Sequence, residues 1–79
     1  RKGFLHPLSV IYVRAADKPG VLHDITSCLL EAEINIKDIE LQTILEGTGG
    51  TFRLAFETPQ EASGAVEALT AAGFEARRP

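Results

Sequence analysis

Residues 51–57 (T-F-R-L-A-F-E) constrain the fold of this chain more than any other segment, because large apolar residues alternate strictly with others there. The large apolar residues would share one face of a β-strand: Phe52, Leu54 and Phe56. A strand that is apolar on one face belongs to a sheet with one face covered by other elements. The remaining sequence must therefore supply more strands and a layer that covers them.

Two helices are predicted, one on each side of this strand in the sequence. Residues 58–61 (T-P-Q-E) form a capping box with proline at the first helical position, and Gly73 ends the helix that follows. Its apolar positions are Ala62, Ala65, Val66, Leu69 and Ala72. The earlier helix has apolar residues at helical spacing: Val21, Leu22, Ile25, Cys28, Leu29 and Ala32.

Three further strands complete the pattern. Residues 8–14 include four consecutive apolar residues, which is typical of a central strand. A second strand is predicted from residue 33 to residue 45, with a bulge at Lys37 and Asp38, and a glycine-rich hairpin loop follows. Residues 74–77 form a short last strand.

The order β-α-β-β-α-β predicts an α+β fold of the ferredoxin-like type, in which two helices cover one face of a four-stranded antiparallel sheet. The other face and one edge of the sheet would then need a second copy or another part of the protein to cover them.

Composition excludes several classes of function. The 79 residues include 8 basic and 11 acidic ones, and the net charge of −3 argues against nucleic-acid binding. No apolar run approaches the length of a membrane span. The single cysteine, Cys28, excludes an internal disulfide framework and a cysteine-rich metal site, and it suits the reducing cytoplasm. We expect Cys28 to be a small core residue.

The beginning of the chain indicates a piece of a larger protein, since the sequence has no methionine and starts with R-K-G. We expect residues 1–7 to be a linker from a catalytic region upstream and residues 8–78 to be the domain itself.

Residues 17–22 (D-K-P-G-V-L) predict a loop that ends in a helix N-terminus. Pro19 suits a first helical turn because it lacks an N–H that would be unpaired there, and Gly20 lets the backbone approach another group closely. Such a terminus favours a carboxylate or a phosphate. The alternative for these six residues is a tight turn with an aspartate cap.

No catalytic or metal-binding constellation is present. The two histidines, His6 and His23, fall in the linker and on the outer face of a helix. An acylphosphatase-like enzyme would need an anion cradle where the acidic Asp17 lies. A soft-metal carrier needs a pair of thiols, and an RNA-binding sheet needs an exposed ring where Arg53 lies.

A small amino acid fits the remaining features. Its carboxylate would accept N–H groups of Gly20, Val21 and Leu22, and its ammonium would pair with Asp17 or Asn35. The alternative for Asn35 is a cap or turn between helix and strand.

The segments D-K-P-G-V-L and I-N-I-K-D-I-E-L-Q-T resemble the ACT domain, the amino-acid-sensing module attached to many enzymes of amino-acid metabolism. The resemblance runs from residue 8 to about residue 74. Within that family, R-K-G-F-L-H-P, G-G-T-F-R-L-A-F and T-P-Q-E-A are similar to the C-terminal regulatory domain of bacterial prephenate dehydrogenases.

The resemblance implies a ligand site in the two matched segments. Asp17 and Asn35 would hold the polar end of the ligand, and the backbone of the loop would meet its carboxylate. The residues implied are Asp17, Pro19, Gly20, Val21, Leu22, Asn35 and Ile36. It also implies a homodimer in which the ligand lies between the first loop of one copy and the second strand of its neighbour.

The function implied is feedback regulation of an NAD(P)-dependent prephenate dehydrogenase by tyrosine, in a domain that is itself non-catalytic and holds no cofactor. Ala15 stands where some amino-acid-binding members have a histidine, and a small residue there leaves room for an aromatic ring. The alternatives are an ACT domain of another enzyme, for example one that senses serine, and a dimerisation module without a ligand.

Overall fold

Six elements follow one another along the chain, and the computed structural model describes them over residues 7–16, 19–43 and 50–79. They are β1 (Ser9–Ala15), α1 (Val21–Glu31), β2 (Asp38–Thr43), β3 (Gly50–Phe56), α2 (Pro59–Ala71) and β4 (Glu75–Arg77). The strands form one sheet in the order β2-β3-β1-β4, and every neighbouring pair is antiparallel. The predicted ferredoxin-like fold is confirmed.

The core lies between the two helices and one face of the sheet. The alternation in β3 has the predicted result, since Phe52, Leu54 and Phe56 are all buried on this face. β1 is an inner strand between β3 and β4, as its apolar run predicted. The helices contribute Ile25 and Leu29 from α1 and a row from α2 that consists of Ala62, Ala65 and Leu69.

The predicted second strand begins too early, because the chain turns sharply at the end of α1. The N–H of Ile34 donates to the carbonyl of Leu29 at 2.9 Å, and the N–H of Glu33 donates to the carbonyl of Leu30 at 2.9 Å. These two bonds form a Schellman turn, which sets residues 33–36 apart from the sheet. β2 therefore starts at Asp38, and the predicted start at residue 33 with a bulge at Lys37 and Asp38 is wrong.

α2 ends in the same kind of turn, and here the prediction is correct. Gly73 has φ +97°, and the N–H of Phe74 donates to the carbonyl of Leu69 at 2.9 Å. The position equivalent to Gly73 after α1 is Glu33, whose φ is +60°. A left-handed backbone costs an L-residue about 1–2 kcal/mol, so the end of α1 is strained where the end of α2 is not.

Smaller differences concern single residues. Ala72, predicted in the apolar stripe of α2, is the exposed C-cap of that helix, and Phe74 lies in the turn before β4. Cys28 is half-buried against the core. The predicted linker, apart from Pro7, and the predicted hairpin loop, apart from Gly50, lie outside the described residues. Among the described helices, none is long and apolar enough to cross a membrane.

The strain at Glu33 predicts that Glu33→Gly stabilises the domain. We expect the free energy of unfolding to rise by about 0.5–1 kcal/mol, because relief of the left-handed strain exceeds the entropic cost of a glycine. Urea denaturation measures the change. The control is Glu67→Gly, at an exposed position in the interior of α2, which should lower stability by about 1 kcal/mol. A loss of stability in both variants would contradict the account of Glu33.

Candidate functional site

The N-terminus of α1 has no side-chain cap among the described residues. Its N-cap is Gly20, with φ +88° and ψ −13°, and the carbonyl of Gly20 accepts the N–H of Asp24 at 2.9 Å. In α2, by contrast, Thr58 Oγ1 accepts the N–H of Glu61 at 3.1 Å. No described side chain accepts from the N–H groups in the first turn of α1, and the positive end of the helix dipole favours an anion there.

One detail of the first loop, residues 16–20, differs from the prediction. Pro19 precedes the N-cap and is not part of the first helical turn, because the left-handed Gly20 lies between Pro19 and the helix. The positive φ of Gly20 favours glycine, and a Cβ on it would meet no described atom of the chain within 4 Å, so the predicted approach of the backbone to a ligand stays a prediction. Asp17, the predicted ammonium partner or cap, lies outside the described residues, as does Lys18.

The remaining predicted site residues are divided between the two ends of α1. Val21 is half-buried against the core and Leu22 is exposed in the first turn of α1. Asn35 is exposed in the connection from α1 to β2, and Ile36 beside it packs against the core. Because α1 has eleven residues, its two ends are about 16 Å apart. One chain therefore does not bring Gly20 and Asn35 together around a small ligand.

The register of the sheet relates these two ends to β2. Gly50 of β3 pairs with Ala15, the last residue of β1, and with Thr43, the last residue of β2. The C-terminal end of β2 thus lies level with the first loop. The other end of β2, at Asp38, leads back to Asn35 and lies level with the start of β1. Among the described strands, β2 lies at the edge of the sheet and has β3 as its neighbour on one side only.

Exposed apolar side chains lie along this edge. Ile39 and Leu41 pair with buried residues of β3, so they lie on the helix-covered face, yet they are 36% and 46% exposed. On α1, Leu22 is 46% and Leu30 is 74% exposed. α2 packs over β1 and β4, and Leu22 and Leu30 share the flank of α1 away from α2. We call these four residues the β2-edge patch.

A cleft lies on the opposite flank of α1, beside the first loop. Its volume is about 350 Å³, and we call it the first-loop cleft. Its lining consists of Arg14, Ala15, Ala16, Val21, Asp24, Gly73, Phe74 and Glu75. Phe74 was predicted as part of the last strand and therefore not as a residue of this cleft. An aromatic residue directly after a helix-ending glycine was the available signal, since that position usually folds back onto the helix.

A second cleft of about 340 Å³ continues between α1 and the end of α2, and Cys28 lies in it. The Cys28 thiol donates to the carbonyl of Ala68 at 3.4 Å. Burial, and secondarily the nearby carboxylate of Glu31, raise the pKa of this thiol. In the part of the chain that the structure describes, no group of three His, Cys, Asp or Glu side chains could hold a metal ion.

One protein family matches most of the chain. The family model of the ACT domain matches residues 9–74. The chain is 29% identical to the ACT domain of prephenate dehydrogenase from Bacillus anthracis, with a TM-score of 0.79. The match covers 86% of this chain and 99% of that one.

Two larger proteins contain a similar unit. The regulatory subunit of aspartate kinase from Thermus thermophilus, in its ligand-free form, is 23% identical with a TM-score of 0.75, and the match covers 91% of this chain and 50% of that one. Prephenate dehydratase from Streptococcus mutans is 26% identical with a TM-score of 0.61, at 90% of this chain and 39% of that one. The chain thus spans half or less of these two proteins.

The environment of Cys28 predicts slow reaction with thiol reagents. The raised pKa lowers the thiolate fraction at pH 8, and half-burial limits access, so Cys28 should react with a disulfide reagent more slowly than free cysteine does. The rate is measured by absorbance in buffer. In urea, where the thiol is exposed, the rate should rise to that of free cysteine. Equal rates in buffer and in urea would contradict the burial of the thiol.

Proposed function

This chain belongs to the ACT domain family, and we propose that it is the regulatory domain of a prephenate dehydrogenase and binds L-tyrosine. The N-terminus of α1, which has no side-chain cap among the described residues, is the observation that carries the proposal. In this proposal the domain, residues 8–78, is non-catalytic, and residues 1–7 join it to a cytoplasmic catalytic region that uses NAD(P). The similarity to the Bacillus anthracis domain supports this parent enzyme.

The carboxylate of the ligand binds at the start of α1. The N–H groups of the first turn, at Val21 and Leu22, point out of the helix end and lack a described side-chain partner. A carboxylate accepts such bonds and is stabilised by the helix dipole. The left-handed Gly20 turns the chain into α1 without placing a side chain over these groups.

The ammonium end of the ligand needs two chains. Gly20 and Asn35 of one chain are separated by the length of α1, so the Asn35 that completes the site comes from a second copy. Two β2 strands paired antiparallel around a two-fold axis place the start of one β2 level with the end of the other. Since the end of β2 lies level with the first loop, this pairing brings the neighbour's Asn35 towards that loop.

The β2-edge patch supports the same arrangement. The outer N–H and C=O groups of an edge strand can pair with another strand. The half-exposed side chains of Ile39 and Leu41 lie along this edge. Leu22 and Leu30 extend the apolar surface onto α1. A second copy that pairs with β2 would cover all four side chains. The amide oxygen of its Asn35 and the carboxylate of Asp17 would then receive the ammonium.

Regulation follows if the ligand binds one arrangement of the dimer better than another. A ligand that bridges two chains senses their relative position directly, so its binding free energy differs between arrangements. Typical couplings of about 1–3 kcal/mol are sufficient to change the activity of an attached enzyme several-fold or more. No such coupling is available to a ligand held by one rigid chain alone.

Binding is tested by thermal unfolding of the chain with each of the twenty amino acids. L-tyrosine should raise stability by about 2.7 kcal/mol at a hundredfold excess over its Kd, because it binds only the folded state. Asp17→Ala and Asn35→Ala should abolish most of this shift while leaving the unfolding of the free domain nearly unchanged. Glu67→Ala, an exposed change in α2, is the control.

A shift with serine alone would indicate an ACT domain of another enzyme. A dimer that responds to no amino acid would indicate a dimerisation module.

The two-chain site is tested by mixing the Asp17→Ala and Asn35→Ala chains after joint unfolding and refolding. A mixed dimer has one site with both changes and one site with neither, so about one quarter of all sites should bind tyrosine as tightly as the wild type. Calorimetric titration counts these sites. If the mixture binds tyrosine no better than its two components do, Asp17 and Asn35 of different chains do not form one site.

A further inference from the structure

The first-loop cleft begins where the proposed carboxylate site ends. Val21, the first residue of α1, belongs to its lining, together with Ala15 and Ala16 at the end of β1. Phe74, in the turn between α2 and β4, also lines the cleft. The cleft lies on the flank of α1 away from the β2-edge patch, so a second copy paired through β2 leaves it open.

The half-buried residues of the lining are apolar and its charged residues are exposed. Ala15 follows Ile11 and Val13 on the inward face of β1, where any larger side chain would extend into the cleft. Phe74 is half-buried and presents an aromatic ring. Asp24 and Glu75 are exposed carboxylates at the rim, together with Arg14.

We propose that the first-loop cleft holds the side chain of the bound amino acid and that it selects an aromatic ring. The inference rests on the proposed function, since it assigns the side-chain end of the same ligand. A ring in the cleft would pack against Phe74 in an offset or edge-to-face arrangement, which adds to the free energy of apolar burial. Ala15 provides the room for that ring, and the cleft volume of about 350 Å³ is sufficient for it.

One ligand can reach both flanks of α1. The carboxylate, the ammonium and the side chain leave the Cα of an amino acid in different directions. With the carboxylate on the axis of α1, the ammonium can point to the neighbour's Asn35 while the side chain enters the cleft beside Val21. The proposed polar and apolar contacts therefore do not compete for the same space.

The charges at the rim refine the selection. The two carboxylates, Asp24 and Glu75, outnumber the one cation, Arg14, so the rim disfavours a ligand with an acidic side chain. Because the ring packs among the apolar residues of the cleft, tyrosine and phenylalanine are both expected to bind more tightly than serine.

The test is calorimetric titration of L-tyrosine, L-phenylalanine and L-serine into the wild type and two valine variants. Ala15→Val suits a β-strand and fills the cleft, so it should weaken tyrosine binding by about tenfold or more. Ala76→Val is the matched control, because Ala76 is also a half-buried strand alanine against the core but does not line the cleft. It should change the affinity less than about twofold.

A second variant keeps the test valid if Ala15→Val fails to fold. Phe74→Leu retains an apolar side chain but removes the ring, and it should weaken tyrosine and phenylalanine binding more than serine binding. Circular dichroism confirms that each variant is folded.

Unchanged tyrosine affinity in folded Ala15→Val and Phe74→Leu would overturn the side-chain assignment, as would a wild type that binds serine but no aromatic amino acid. Both results leave an amino-acid sensor in place. A wild type that binds none of the twenty amino acids would overturn the proposed function and this inference with it.

Discussion

The antiparallel pairing of β1 with β3, which extends through all seven residues of each strand, is the constraint on which the rest of the structure depends. It aligns the inward rows of the two strands, so that Ile11 and Val13 lie beside Leu54 and Phe52 under the helices. The same pairing fixes the heights of the loops. Because Ala15 pairs with Gly50, and Gly50 with Thr43, the first loop and the end of β2 lie at one level of the sheet.

The two helices begin differently, and the proposed function depends on this difference. The N-terminus of α2 is capped by Thr58, and the helix packs in the core with Ala62, Ala65 and Leu69 fully buried. α1 begins at a left-handed glycine and leaves its first N–H groups without a described cap. A small domain buries a limited fraction of its surface and has little stability to spare, so an open helix end is a cost that a bound anion offsets.

The proposed site and the proposed dimer are two consequences of one geometry. α1 separates Gly20 from Asn35 within one chain. Pairing of two β2 edge strands would bring Gly20 of one chain close to Asn35 of the other. Pairing at this edge would bury the exposed side chains of Ile39 and Leu41, while the first-loop cleft would stay outside the contact. A ligand would thus join two chains at its polar end and be selected by one chain at its side-chain end.

Much of the fold was predictable because the signals that determine it are local. The alternation in β3, the capping box at Thr58 and the helix-ending Gly73 depend on neighbours within about four residues, and the structure confirms all three. The D-K-P-G-V-L segment likewise predicted a helix start, although the assignment of Pro19 to the first turn was wrong because Gly20 takes the N-cap.

Other features depend on residues far apart in the chain and could not be obtained from local patterns. β2 begins at Asp38 and not at residue 33 because the turn after α1 delays entry into the sheet until Lys37 meets Ala55. The exposure of the β2 edge and the place of Phe74 in the first-loop cleft follow from how the elements pack. The sequence by itself thus determined which elements form and where α1 begins. Only the tertiary structure decided which residues line one cleft, because sheet register and helix packing set distances that periodicity does not contain.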